Sequence, residues 1–205
     1  MLKTRALGCI PYRHVYDQMQ NHVKQLPEMA NEIWFVEHPP VFTQGKHGSA
    51  EHLLNAHGIS VIQSDRGGQI TYHGPGQAVI YFMLDLKSLS LGVKKLVHLI
   101  EQSCIKLLDT YGIAAHLIDK APGVYVDGKK IASLGLRVKR FKTYHGLAIN
   151  TDMDLTPFHY INPCGYQGLQ MTQISAFKPE ITVKQVFEGF HQAFHQKLQE
   201  TGILV

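Results

Sequence analysis

Covalent chemistry in this sequence would start at a cysteine, and there are three: Cys9, Cys104 and Cys164. Their odd number, wide spacing and lack of a C-x-x-C pair argue against a disulfide framework and against a zinc site, which leaves free thiols. Cys104 falls on the apolar stripe of a helical pattern, where a thiol behaves as a small hydrophobe. Cys9 lies between Gly8 and Ile10 with no charged neighbour, so packing is expected of it too. Cys164 differs, being set in Asn162-Pro163-Cys164-Gly165. Proline there removes a backbone donor and fixes a torsion while glycine permits unusual ones, so the thiol is presented from a turn, where a nucleophile is accessible.

A free thiol is mostly protonated at neutral pH and becomes an effective nucleophile beside a cation or a base. The sequence offers Lys129 and Lys130, directly after Asp127-Gly128. Strand alternation puts Lys130 on one face with Ala132 and Leu134 and Lys129 on the other, so either one of the pair turns inward or both solvate a hairpin tip. An inward, desolvated lysine has a depressed pKa, which would let it hold a thiolate as an ammonium and also pass a proton. A second region is the run Arg66, Gly67, Gly68, Gln69, Ile70, Thr71, Tyr72, His73, Gly74, Pro75, Gly76 and Gln77. It is neither G-x-x-x-x-G-K-S/T nor G-x-G-x-x-G, so a phosphate-binding loop is not indicated, and by composition alone it reads as a turn between strands. Of thirteen histidines only His191 and His195 have metal-type spacing, with no glutamate arranged as in zinc proteases, and no metal is expected.

The elements that must hold these residues are readable in outline. Tyr12, Val15, Tyr16, Met19 and Val23 recur at three-and-four spacing, predicting a helix over residues 12–26 after a short N-terminal strand. A strand over 32–37 ends at Pro39-Pro40, which opens a loop through Gly45 and Gly48 to a short helical stretch near 50–56. Strands are expected at 60–63 and 78–85, on either side of the glycine-rich run. Leu96, Ile100, Cys104, Leu107, Leu108 and Tyr111 share a helical stripe that Gly112 stops. Asp127-Gly128 joins strands at 124–126 and 129–138 as a tight hairpin, and a further strand spans 144–150. Residues 161–168 read as irregular, and Val183, Val186, Phe187, Phe190, Phe194 and Leu198 mark a C-terminal helix.

With 205 residues, 44% apolar and 18% charged, and no repeat or linker, the chain is expected to form one α+β domain over residues 1–205, a mixed or antiparallel sheet flanked by helices. It has no apolar run of eighteen residues and no signal-type N-terminus, so a cytoplasmic protein without a membrane partner is expected. The net charge of +4 is mostly scattered, which does not suggest nucleic acid. The exception is Arg137, Lys139, Arg140 and Lys142, which either steers a small acidic protein or keeps a strand edge soluble.

Taken together, several ordered blocks resemble the lipoyl(octanoyl) transferases that begin protein lipoylation. They are the run from Arg66 to Gln77 with Tyr81 downstream; Pro122-Gly123-Val124-Tyr125-Val126 leading to Lys130-Ile131-Ala132-Ser133-Leu134-Gly135; His145-Gly146-Leu147-Ala148-Ile149-Asn150; and Asn162-Pro163-Cys164-Gly165. Glu37-His38-Pro39-Pro40-Val41-Phe42-Thr43 is a weaker match, and Tyr125 stands where the family more often has tryptophan. The resemblance implies the fold of biotin protein ligases and class II aminoacyl-tRNA synthetases. It also implies that Cys164 is the acyl-thioester nucleophile and Lys130 the cation favouring its thiolate. The substrate pocket would be formed by Arg66, Gly67, Gly68, Gln69, Ile70, Thr71, Tyr72 and His73, by Ser133, Leu134 and Gly135, and by Gly146, Leu147 and Ala148.

The implied donor is octanoyl-acyl carrier protein, and the implied acceptors are lysines of lipoyl domains in 2-oxoacid dehydrogenase E2 subunits and of glycine cleavage H protein. A monomer is expected, with no cofactor beyond the donor's phosphopantetheine. A thioester already stores enough free energy to make an amide, so no ATP is expected, and oxyanion donors are looked for near Gly146 to Ala148 or in the Thr71 to His73 region. Competing readings are an ATP-dependent lipoate or biotin ligase, an amidotransferase between proteins, and a non-catalytic binding protein.

Overall fold

The computed structural model describes residues 2–24 and 30–203. Lys3–Cys9 forms β1, Tyr12–Lys24 forms α1 and Glu32–Glu37 forms β2. The predicted last turn of α1, toward Leu26, lies outside the described residues. β1 and β2 are parallel, joined through α1, and β1 is an outer edge of the sheet. Cys9 sits on that exposed strand and is itself exposed, so it does not pack as expected.

Beyond Pro39-Pro40 the chain turns at once into a strand, β3 at Val41–Gln44, where a loop was expected. β3 pairs in parallel with β4, Ser60–Gln63, and antiparallel with β5, Thr71–His73, in a separate three-stranded sheet of order β4-β3-β5. The glycine-rich run therefore contains a strand. β4 is the strand expected at 60–63, whereas β3 and β5 are too short to show a period in sequence and only their mutual pairing defines them.

The main sheet continues with β6 at Gln77–Met83, β7 at His116–Ile118, β8 at Ala121–Val126, β9 at Lys129–Lys139 and β10 at Lys142–Asn150. Its seven strands run β1-β2-β6-β10-β9-β8-β7, antiparallel throughout except for β1 with β2. This is the mixed sheet expected. β6 is buried along its whole length because both faces of the sheet are covered, which is why it reads as a nearly continuous apolar run. On one face Ala78, Ile80 and Phe82 meet α2, Val93–Thr110, and α3, Val183–Glu200, whose Leu96, Ile100, Cys104, Phe190 and Phe194 fill the larger core. On the other face Val79, Tyr81 and Met83 pack with Trp34, Tyr144, Ala148 and the expected stripe of α1. A third cluster, Phe42, Ile70, Tyr72, Met153, Phe158 and Ile161, backs the small sheet.

Two hairpin turns organise β8 to β10. Asp127 (φ 49°) and Gly128 (φ 74°) link Val126 to Lys129 with the left-handed torsions a two-residue turn requires. Lys139 pairs with Lys142 around an equally short turn made of Arg140 and Phe141. β8 pairs with β9 only over Lys129–Ala132, so Arg137 and Lys139 lie on the far stretch of β9, which is paired with β10 on one side and has no strand on the other among the described residues, and Arg140 is in the turn. Lys142 leaves that cluster altogether, being buried and paired with Asp85.

Candidate active site

Cys164 occupies a 3-10 turn, Pro163–Gly165, with φ 57° and ψ 16°, the left-handed region that few residues other than glycine adopt. Its N–H donates to the Ile70 carbonyl at 3.1 Å, and Asn162 N–H donates to His52 O at 2.8 Å, so the turn is fastened beside the glycine-rich run. The thiol is half-buried. Lys130 Nζ lies 3.2 Å from its sulfur.

Lys130 reaches the thiol because β8 and β9 are out of step. Val124 pairs with Ala132 but Tyr125 with Lys130, leaving Ile131 as the extra residue of a bulge. Ile131 and Ala132 both enter the helix-covered core, and the side chain before them turns to the opposite face. Lys130 therefore does not share a face with Ala132, as plain alternation had it. Its backbone is held on the other side by Lys130 N–H to Gln170 O (2.9 Å) and Thr172 N–H to Lys130 O (3.0 Å). The side chain is 1% exposed while Lys129 is exposed, and its amine stands 5.3 Å from the centre of the Tyr125 ring. Gly123 lies alongside; a Cβ there would come within 3.0 Å of Lys130 Cε.

Burial pulls the Lys130 pKa down, but a thiolate at Cys164 and the Tyr125 hydroxyl pull it up and together prevail, so it ends above the ordinary lysine value. The depressed pKa expected of an inward lysine is thus reversed: the amine is desolvated, but not alone. It is a standing positive charge beside the sulfur. Burial pushes the Cys104 thiol far up, as suits a group used only for packing.

The thiol opens onto a cleft of about 500 Å3, its mouth included, between the main sheet and the glycine-rich run. Ser133, Leu134 and Gly135 of β9, Gly146, Leu147 and Ala148 of β10, and Val79 and Tyr81 of β6 form one wall. Arg66, Gly67, Gly68, Gln69, Thr71 and His73 form the other, with Tyr12 of α1. The run can lie directly on β9 because a Cβ at Gly135 would already be 3.1 Å from Gly67 O, and Gly67 N–H donates to Leu136 O at 3.1 Å. Ile70 and Tyr72 point away from the cleft into the core of the small sheet, as alternation about Thr71 and His73 demands. They are not pocket residues.

The polar groups of the cleft are bonded in chains. Arg66 is buried and spends its donors on Thr43 Oγ1 (3.1 Å to Nε), on Thr43 O and on Gly67 O (2.8 Å), which ties the run to β3. His73 Nδ1 donates to Gln77 Oε1 (2.7 Å), Gln77 Nε2 to Asn150 Oδ1 (2.9 Å), and Asn150 Nδ2 to Thr172 O (2.9 Å), the residue whose amide holds Lys130. His38 donates from Nδ1 to Ile10 O and accepts from the Tyr81 hydroxyl at Nε2, each at 2.7 Å. Burial pushes His38 down to about 4 and His73 down to about 3. His145, at φ 62°, is turned onto the same face as its neighbour Tyr144, and both bind Asp65, with 2.9 Å from His145 Nε2. Although burial opposes it, these bonds hold the Asp65 carboxyl well below its ordinary range.

The sequence reading missed Tyr12, Thr43, Asp65 and Thr172. Tyr12 reads there only as the start of a helical stripe and Thr43 only as the end of the weaker block, and no local pattern marks Asp65 or Thr172. Of the two regions considered for oxyanion donors, residues 146–148 are paired on both sides, with β6 and β9, whereas β5 is an edge strand of its sheet. β5 has no strand paired on its outer side among the described residues, although Gln77 Nε2 donates to Tyr72 O there.

Residues 12–195 match the family model of the lipoyl protein ligase A/B catalytic domain. An octanoyltransferase of Francisella tularensis strain FSC 198 is 57% identical over 93% of each chain, and one from Pseudomonas entomophila is 55% identical over 91% of this chain and 87% of its own. The chain belongs to the octanoyltransferase family. Among solved structures, lipoate-protein ligase A bound with ATP superimposes with a TM-score of 0.79 at 15% identity, covering 97% of this chain and 86% of that one. Biotin protein ligase from Aquifex aeolicus gives 0.62 at 14% identity over 97% and 70%. At such identities the likeness is one of fold, and it is the fold expected for this octanoyltransferase. Among the described residues, no helix is long and apolar enough to cross a membrane.

Proposed function

We propose that this octanoyltransferase takes its acyl group from octanoyl-acyl carrier protein onto Cys164 and passes it to a lysine of a lipoyl-bearing domain, in 2-oxoacid dehydrogenase E2 subunits and in glycine cleavage H protein. The observation that carries the chemistry is the Lys130 ammonium 3.2 Å from Cys164 Sγ beside a mostly apolar cleft. The thiolate, held by that cation, attacks the thioester carbonyl, the bond to the carrier's phosphopantetheine sulfur breaks, and Lys130 gives that sulfur a proton so that it leaves as a thiol. Amide donors at the β5 edge are placed to receive the oxyanion. The neutral amine of the acceptor lysine then attacks the acyl-cysteine, an amide forms, and Lys130 takes the proton that the nitrogen gives up, so that it is again an ammonium paired with the departing Cys164 thiolate. Each acyl carbon buried in the cleft contributes about 0.8 kcal/mol, so selection for eight carbons is set by the depth of the slot. We place the enzyme in the cytoplasm as a monomer, with no cofactor of its own.

Intact-protein mass spectrometry after mixing enzyme with octanoyl-acyl carrier protein, without ATP, tests this reading. An octanoyl adduct on the wild type, absent from Cys164→Ala and chased onto a lipoyl domain, is the expected result. Unimpaired turnover by Cys164→Ala, or a strict requirement for ATP, would overturn it in favour of a ligase.

A further inference from the structure

Next to the acyl cleft is a second concavity, of about 890 Å3 with its mouth included, between the end of α1 and the β9–β10 hairpin. Lys24, Arg137, Lys139 and Arg140 line it, and none of them makes an ion pair among the described residues. The one acid among its described lining residues, Asp65, is already bonded to Tyr144 and His145. Arg137 Nε is buried without a hydrogen-bond partner. Among the described lining residues, four cations stand against one carboxylate, a local excess of three positive charges in one hollow.

The hairpin tip adds a second observation. Arg140 and Phe141 hold φ 49° and 65°, torsions that such turns normally give to asparagine or glycine. Phe141 is also 65% exposed. Two bulky residues in left-handed backbone cost stability, and here the cost sets a guanidinium and an aromatic ring facing outward at the rim. Arginine and aromatic residues together are what protein interfaces are enriched in.

We propose that this basic hollow docks the acidic face of the protein that delivers the acyl group. The inference rests on the proposed acyl transfer and adds where the donor binds. Distance favours donor over acceptor. Arg137 is seven residues along β9 from Lys130, roughly 20 Å at the rise of a strand. A thioester on a long arm, as on phosphopantetheine, spans that gap from a carrier seated in the hollow, whereas an acceptor's lysine, on a four-carbon stem, has to be brought to the cleft by a part of the acceptor lying outside the hollow.

The test is the double variant Lys139→Glu/Arg140→Glu, both sites being exposed. Acylation of Cys164 is followed by mass spectrometry with octanoyl-acyl carrier protein and, separately, with octanoyl-pantetheine; transfer from pre-acylated enzyme to a lipoyl domain is followed as a third reaction. The expected result is a loss of at least about tenfold in kcat/KM for the carrier-borne donor with a flattened salt dependence, and unchanged rates for the other two. Direct titration of acyl carrier protein onto Cys164→Ala enzyme should show the same loss of affinity. Equal rates with the carrier-borne donor overturn the proposal, as does a loss confined to the lipoyl-domain step, which would assign the hollow to the acceptor. A loss shared by both donors overturns it too, since the hollow would then merely support the cleft. Failure of either donor to acylate the wild type would instead count against the transfer reading itself, and the titration would still decide the docking.

Discussion

Cys164 is held at φ 57° in a turn fastened to Ile70, and a non-glycine residue kept there stores strain of the order of 1–3 kcal/mol that the surrounding bonds must hold. The strained turn delivers the sulfur to within 3.2 Å of the buried Lys130 ammonium. Replacing that cation by a neutral chain of similar length is therefore the informative substitution. Lys130→Met is expected to slow iodoacetamide alkylation of Cys164 at pH 7 by about tenfold and acyl transfer by about a hundredfold or more, with the circular dichroism spectrum kept. Alkylation at the wild-type rate would remove Lys130 from the chemistry. In the same experiment Cys104, buried with its thiol pushed far up, stays unlabelled in native protein.

At the level of elements, the β-bulge at Ile131 and the open backbone of Gly123 jointly aim Lys130. Gly123 has φ 121°, and a Cβ there meets Ala132 O at 2.5 Å as well as the lysine stem. Gly123→Ala is expected to cost both stability and acylation rate. A cap distant from the site separates the two effects. Thr182 accepts from Gln185 N–H and Gln185 Oε1 accepts from Thr182 N–H at the start of α3, so Thr182→Ala should lower stability by about 1 kcal/mol and leave the acylation rate at 25 °C as in wild type. If Gly123→Ala behaves like Thr182→Ala, with stability lost and rate kept, the bulge is not what positions the amine.

For the whole molecule, the cleft lies between two sheets, and His38 and His73 are buried there uncharged. Their folded pKa values, about 4 for His38 and about 3 for His73, are below the ordinary 6.5. Below pH 6.5 the unfolded chain therefore binds protons that the native protein does not. Stability from this source is complete above about pH 6.5 and is lost progressively as pH falls toward 4, by roughly 3 kcal/mol for His38 at about 1.4 kcal/mol per pH unit. Carboxylates such as Asp65 and Asp85, held below their ordinary values, add their losses only at still lower pH. Urea titrations between pH 7 and 4 should show this decline, and His38→Gln should flatten its upper part. An identical slope in the variant would mean that His38 is solvated or protonated in the native state. Because Ala148 on β10 lines the slot, Ala148→Phe narrows it and is expected to shift donor preference from eight carbons toward shorter chains, read from acylation rates across a chain-length series.

By itself the sequence determined whatever repeats locally or is contiguous. The apolar periods of α1, α2 and α3, the Asp127-Gly128 turn and the turn presenting Cys164 are all set by near neighbours, and each is found where the residues put it. The blocks around the cleft were legible for the same reason, since the family resemblance runs along the chain. Tertiary structure decided what depends on register and on partners far away in sequence. The short strands β3 and β5 exist only because they pair, which also turns Ile70 and Tyr72 away from the cleft. One extra residue at Ile131 reversed the face of Lys130, and a thiol thirty-four residues on reversed its pKa shift. Lys142 left the basic cluster for Asp85, while Lys24 joined it from another helix. Charge and burial are sums over all neighbours in space, and a linear pattern lists only the neighbours in sequence.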